Sequence, residues 1–156
     1  MISLYGINLS TFTRKVRLAL LEKGIPHKLE VAPMGSPKVK ALHPLGKIPV
    51  IEDHGIAVPD SSVIIAYVER AYPDRPLYPA GAVPLARALW LEEYADTRLR
   101  EATLPFFSEH VVKHLFRTLA AAGVQLNEGI LRSLQAAYQR EAEDAVADSY
   151  AVATIN

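Results

Sequence analysis

A proline stands inside the short apolar run Ile48-Pro49-Val50-Ile51-Glu52, and it constrains the fold more than any other residue of the chain. Proline donates no backbone hydrogen bond, so within a strand it must sit at an edge, at a bulge or behind a cis peptide bond. Asp53-His54-Gly55 and a second apolar run, Ile56-Ala57-Val58, come next. The two runs around an Asp/Gly turn read as an antiparallel hairpin. Pro49 therefore marks the entry to a hairpin, and the flanking segments must supply the strands it joins.

Upstream, Ile2 to Tyr5 reads as a buried strand, with a turn at Gly6-Ile7-Asn8. A helical pattern begins at Thr13. Val16, Ala19 and Leu20 share one face, Arg14, Lys15, Arg17 and Glu22 crowd the rest, and Gly24 stands where a C-terminal cap belongs. Leu29 to Val31 supplies a second strand, expected to pair parallel to the first in a right-handed βαβ unit. Ser36 to Leu42 is a short helix candidate. After the hairpin, Asp60-Ser61-Ser62 offers N-cap chemistry before the stripe Ile64, Val68, Ala71 and Tyr72, which Pro73 closes. The order is βαβαββα.

Pro73, Pro76, Pro79, Gly81 and Pro84 punctuate the next residues, the composition of a linker. Beyond them the pattern is helical throughout. Leu85, Leu89, Trp90, Tyr94 and Leu99 mark a long helix that Pro105 should kink or end, with further helix from Phe106 to Ala121. A last helix capped by Asn127 carries Ile130, Leu131, Leu134, Ala137 and Tyr138 at helical spacing.

Charge and cysteine content narrow the chemistry. Seventeen Lys+Arg balance seventeen Asp+Glu, so neither a basic nucleic-acid surface nor an acidic cation trap is indicated. No cysteine is present, which removes disulfides, thiolate metal sites and a protein-borne thiol nucleophile together. Any thiol chemistry must use a thiol brought by a ligand. The N-terminus lacks a basic region followed by a long apolar stretch, and no run reaches bilayer-spanning length, so a cytoplasmic protein with no membrane partner is the default expectation. His110 and His114, spaced i, i+4, have no third ligand in sight and read as a solvent-facing pair, with no metal expected. His43 reads as a loop residue, and Tyr67, Trp90 and Tyr94 as core or subunit contacts.

Three segments become informative together. Ser10-Thr11-Phe12-Thr13-Arg14-Lys15-Val16-Arg17-Leu18-Ala19-Leu20 follows the first strand, His43-Pro44-Leu45-Gly46-Lys47-Ile48-Pro49-Val50 precedes the hairpin, and Asp60-Ser61 opens the third helix. On these residues the first eighty positions resemble the glutathione-binding, thioredoxin-like domain of serine-type glutathione S-transferases. The resemblance implies an α/β thioredoxin-like N-terminal domain (βαβαββα) followed by an all-α helical domain. Its expected boundaries are 1–76 for the glutathione-binding domain, 77–84 for the linker and 85–156 for a shortened helical domain.

The resemblance also implies roles. Ser10, at the start of the first helix, would hydrogen-bond the thiolate of glutathione while the helix dipole stabilises its charge. Thr11 is the runner-up hydroxyl donor, and a plain N-cap serine is the structural alternative. Ile48-Pro49 would be a cis bond, with Ile48 exchanging main-chain hydrogen bonds with the cysteinyl part of glutathione; the alternative is a trans proline on an edge strand. Asp60 and Ser61 would receive the γ-glutamyl end, a role compatible with plain helix capping. Lys47 would reach the glycyl carboxylate, or be a solvated surface lysine.

The implied function is a glutathione transferase, binding glutathione as co-substrate without a metal and activating its thiol for attack on a small electrophile. Detoxification and a homodimer belong to the same expectation. The alternatives are a glutathione-dependent isomerase or reductase and a non-enzymatic binding or regulatory module. Relatives of this type continue well beyond this length with a central helix that opens on a serine and aspartate cap, whereas here the last periodic helix runs out near Asp148. The expectation is therefore a truncated or diverged helical half, loose or buried against a partner, with an incomplete electrophile pocket.

Overall fold

The structure is a computed structural model that describes residues 1–123, Phe116 by its backbone alone. The chain divides into two compact units, Met1–Pro79 and a second beginning at Ala80.

The first unit follows the thioredoxin-like order expected: β1 Ile2–Gly6, α1 Thr11–Glu22, β2 His27–Val31, α2 Pro37–Leu42, β3 Val50–Asp53, β4 Ile56–Pro59 and α3 Ser61–Ala71. The sheet order is β2-β1-β3-β4, with β1 parallel to β2, antiparallel to β3, and β3 antiparallel to β4. Alternation along β1 sends Ile2 and Leu4 into the core and Ser3 and Tyr5 to the other face. Ile2, Leu4, Val16, Leu20, Ile25, Ile51, Val58, Ile64 and Val68 form one buried cluster. Each Leu, Ile or Val so buried contributes about 1.5–3 kcal/mol. On the opposite face, Lys38 of α2 binds Glu52 at 2.8 Å and lies over the Tyr5 ring, while the Tyr5 hydroxyl donates to Glu52 at 2.5 Å. Lys38 and then Tyr5 hold the Glu52 carboxyl below its ordinary value.

The ends of α1 explain its length. Ser10 caps the start, so the helix opens at Thr11, two residues before the sequence pattern suggests. At the other end Gly24 has a positive φ of 68°, Gly24 N–H donates to Leu21 O and Ile25 N–H to Leu20 O. Those paired bonds close the last turn in a Schellman motif. Lys23, buried just before that glycine, pairs with Glu69 of α3 at 2.6 Å and donates to the Arg75 carbonyl at 3.2 Å. Glu69 also accepts from the Leu77 N–H at 3.2 Å. Burial pushes the Glu69 carboxyl up, but Lys23 and the Leu77 N–H outweigh it and hold it below its ordinary value.

The hairpin turn is made by His54 and Gly55, both at positive φ, and Asp53 is the last strand residue rather than part of the turn. Asp53 is buried, and its Oδ2 accepts from the hydroxyls of Tyr67 at 2.9 Å and Tyr72 at 2.6 Å. This hydrogen bond, then burial, pushes the Tyr72 hydroxyl up to about 12.

In the second unit, α4 Ala82–Tyr94, α5 Arg100–Phe107 and α6 Lys113–Ala121 are joined by two π-helical segments, Ala95–Leu99 and Ser108–Val112. The Thr97 hydroxyl takes the Glu93 carbonyl at 2.7 Å, competing with the α-helical bond to that carbonyl. α5 runs on for two residues past Pro105, and the second π-helical segment follows at once. Trp90 and Tyr94, expected in a core or contact, stack on each other at 5.6 Å and are 63% and 48% exposed. Among the described residues of this unit only Val112 is buried. The expected helix from Asn127 and everything after it lie outside the described residues.

Candidate functional site

Strand register decides which sequence segments meet. Tyr5 of β1 pairs with Val50 of β3, and Val50 pairs with Pro59 of β4. β4 ends at that row, β1 one residue beyond it, and β3 begins there. The segments leaving β1 toward Ser10, entering β3 through Lys47-Ile48-Pro49 and leaving β4 into Asp60-Ser61 therefore emerge at one end of the sheet. β2 ends there too, since Gly6 pairs with Val31 and its carbonyl accepts from the Ala32 N–H at 3.0 Å. Because β4 runs parallel to β1, α1 and α3 both start at this end. Two helix N-termini, each worth about half a positive charge, then favour an anion at the same place.

Ser10 is the N-cap of α1, with φ −71° and ψ 123°, and its Oγ accepts from the Thr13 N–H at 3.2 Å. A serine hydroxyl has one donor and two acceptor positions, so this cap leaves its O–H free to be given to a ligand. Capping and donation are compatible in one residue. Thr11, the runner-up, is the first helical residue and exposed.

Thr13 is fully buried beside Gly6, and its Oγ1 has no hydrogen-bond partner among the described residues. A buried hydroxyl left so costs about 1–3 kcal/mol. The sequence gives no sign of this contact beyond a small residue at the end of a strand.

Asp60 caps α3, its Oδ1 accepting from Ser62 N–H at 3.0 Å and Val63 N–H at 3.2 Å. Its φ is 73°, a region that costs a non-glycine residue about 1–3 kcal/mol and that collects at ligand sites. Ser61 is buried as the first residue of α3, where a backbone N–H has no intrahelical partner. Lys15, which lies off the apolar face of α1 in the sequence pattern, donates to Ser62 Oγ at 2.9 Å and ties the two helices near their starts.

The Ile48-Pro49 bond is cis. Pro49 is buried, Ile48 half-buried and Lys47 exposed. His43 Nδ1 accepts from the Leu45 N–H at 3.0 Å, and Gly35 N–H donates to Gly46 O at 2.8 Å, which fixes the approach to Lys47. His110 stacks on Phe106 at 4.3 Å. Among the described residues, no group of three or more His, Cys, Asp or Glu is placed to hold a metal ion, and no helix is long and apolar enough to cross a membrane.

Comparison with known proteins bears on this arrangement. Residues 4–76 match the family described as Glutathione S-transferase, N-terminal domain. A glutathione S-transferase of Pseudomonas putida is 33% identical over 134 residues, covering 79% of this chain and 60% of that protein. Among solved structures, a glutathione S-transferase from Rhodospirillum rubrum is 30% identical with a TM-score of 0.69, covering 73% of this chain and 54% of that one. Another from Methylobacterium radiotolerans, in complex with glutathione sulfonate, is 29% identical with a TM-score of 0.63, covering 94% and 64%. The chain thus spans about half to two thirds of the length of these relatives. Sequence profile, relatives and fold agree that residues 4–76 carry the N-terminal domain of the glutathione S-transferase family.

Proposed function

We propose that the chain binds glutathione across the sheet end where β1, β4 and β3 meet, and activates its thiol for transfer to an electrophilic substrate. The observation that carries this reading is the Tyr5, Val50, Pro59 row, which gathers Ser10, Ile48-Pro49 and Asp60-Ser61 at two helix N-termini. The complex with glutathione sulfonate reported for the Methylobacterium relative supports the same ligand class.

Ser10 donates its free O–H to the sulfur anion. A thiol with a pKa near 8.5 is only a few per cent ionised at neutral pH, and lowering it by about two units requires roughly 2.7 kcal/mol in favour of the anion. One charge-assisted hydrogen bond and a helix N-terminus supply energies of that size. Thr11 is the lesser choice, because the cap bond from the Thr13 N–H orients Ser10, whereas Thr11 is the exposed first residue of the helix. Ile48 pairs its backbone with the cysteinyl unit, Asp60 and the N–H of Ser61 take the γ-glutamyl end, and Lys47 meets the glycyl carboxylate. The exposed Trp90 and Tyr94 pair supports the expected homodimer.

Retention on immobilised glutathione, followed by conjugation of a generic aromatic halide, tests the reading. Ser10→Ala should lose about 10²–10³ in turnover, the loss typical of removing one anion-stabilising donor, while glutathione is still retained. Ser10→Asp keeps an acceptor for the Thr13 N–H but brings no donor, so it should be equally inactive with α1 intact. Undiminished turnover in Ser10→Ala would overturn the assignment, and retention without turnover in the unaltered protein would favour a binding module.

A further inference from the structure

A β-carbon added at Gly6 would stand 2.4 Å from Thr13 Oγ1, 2.7 Å from its Cγ2 and 3.1 Å from its Cβ. The first turn of α1 therefore rests its Thr13 side chain directly on the backbone at the end of β1. Thr13 is fully buried and β-branched, so its side chain has little freedom to swing away. The same residue's N–H holds Ser10 Oγ at 3.2 Å. A continuous chain of contacts thus runs from the Gly6 backbone through Thr13 to the Ser10 hydroxyl.

We propose that Gly6 is a positioning residue: only its bare backbone lets the first turn of α1 seat with Thr13 against the end of β1, and that seating sets how well the Ser10 hydroxyl meets the ligand's sulfur. The inference rests on the functional reading given above and adds to it what holds the donor in place. Only glycine at position 6 permits the contact. Gly6 acts through the seating of α1 and so through Ser10, and not by touching the ligand. Displacing a reacting group by about 1 Å can cost a hundredfold in rate, so a spacer of this kind matters even where binding does not depend on it.

The test is a methyl exchange between the two positions, read by the pH dependence of turnover and of the thiolate absorbance of bound glutathione. Gly6→Ala should raise the apparent pKa of the bound thiol by about one unit and lower kcat roughly ten- to a hundredfold, with KM for glutathione little changed. Thr13→Ala keeps the N–H that caps Ser10 and should have a small effect. Gly6→Ala combined with Thr13→Ala removes the two closest atoms from the new methyl and should return the thiol pKa to that of the unaltered protein. A double variant that is as impaired as Gly6→Ala, or a Gly6→Ala protein whose thiol titration does not move, overturns the proposal. Should Gly6→Ala not fold, the double variant decides: folded with an unshifted titration supports the spacer, and unfolded or shifted refutes it. An unaltered protein that shows no titrating bound thiol sinks the functional reading itself, an outcome distinct from any of these.

Discussion

The two units differ in where their apolar side chains go. In residues 1–79, Leu4, Leu20, Ile51, Ile64 and Val68 are wholly buried around one sheet, and of the buried charged groups Lys23 pairs with Glu69 while Asp53 is held by two tyrosine hydroxyls. In α4 to α6, Val83, Leu89, Trp90, Leu91, Leu99 and Phe106 are each more than 45% exposed. The difference has a physical origin in pattern. Strands that alternate and helices with one apolar stripe close a core among themselves. α4 carries apolar residues on several faces, and no single neighbour covers such a helix. The proposed site follows the same division, since Ser10, Ile48, Asp60 and Ser61 all stand on the first unit.

The largest effects should break this contrast from the core side. Leu20→Ala, at a site with no solvent exposure, should cost about 4 kcal/mol, while Leu89→Ala, 46% exposed, should cost less than about 1 kcal/mol. Denaturant unfolding measures both, and equal costs would erase the distinction. Lys23→Met comes next, at about 3 kcal/mol, the low end for orphaning a buried partner, because Glu69 is 17% exposed and keeps the Leu77 N–H. Adding Glu69→Leu to it should recover much of that loss.

Tyr72 sharpens the comparison through pH. Its hydroxyl is held up to about 12 by Asp53, whereas an unfolded chain ionises it near 10. The folded form thus binds the proton more tightly. The stabilisation is complete below about pH 10 and is lost as pH rises toward 12. Tyr72→Phe should cost about 1.5 kcal/mol at neutral pH, as a hydrogen bond to a carboxylate does, and should remove this part of the alkaline decline. Thermal unfolding between pH 8 and about 12 would show an unchanged slope if the assignment were wrong.

Asp60→Gly has the smallest expected effect on stability, within about 1 kcal/mol of the unaltered protein. Relief of the positive φ offsets the lost cap and the added chain entropy. Glutathione retention should nonetheless weaken, separating what the residue does for α3 from what it does for the ligand. A full-strength retention in Asp60→Gly would remove it from the site.

Much of the first unit was legible from residues alone. The βαβαββα order, the parallel β1–β2 pair and the hairpin follow from apolar runs and turn residues, and Gly24 closes α1 where a cap was expected. Register was not legible. Only the pairing of Tyr5 with Val50 and Val50 with Pro59 shows why three distant segments meet. Asp53 was read into the turn because Asp before Gly is ordinary turn chemistry, and its partners Tyr67 and Tyr72 arrive from 14 and 19 residues away. Lys23 and Glu69 carry no sequence sign of burial, since isolated charges on helices are mostly solvated. Pro84 looked like linker punctuation, yet it lies in the first turn of α4, where a missing N–H costs nothing.

Nuclear magnetic resonance of the full chain titrated with reduced glutathione tests the central claim most directly. The account predicts amide shifts concentrated at residues 7–13, 47–50 and 60–63, the three segments gathered at one end of the sheet. Shifts centred instead on the His54-Gly55 turn at the opposite end, or on α4 to α6, or none at saturating glutathione, would contradict it.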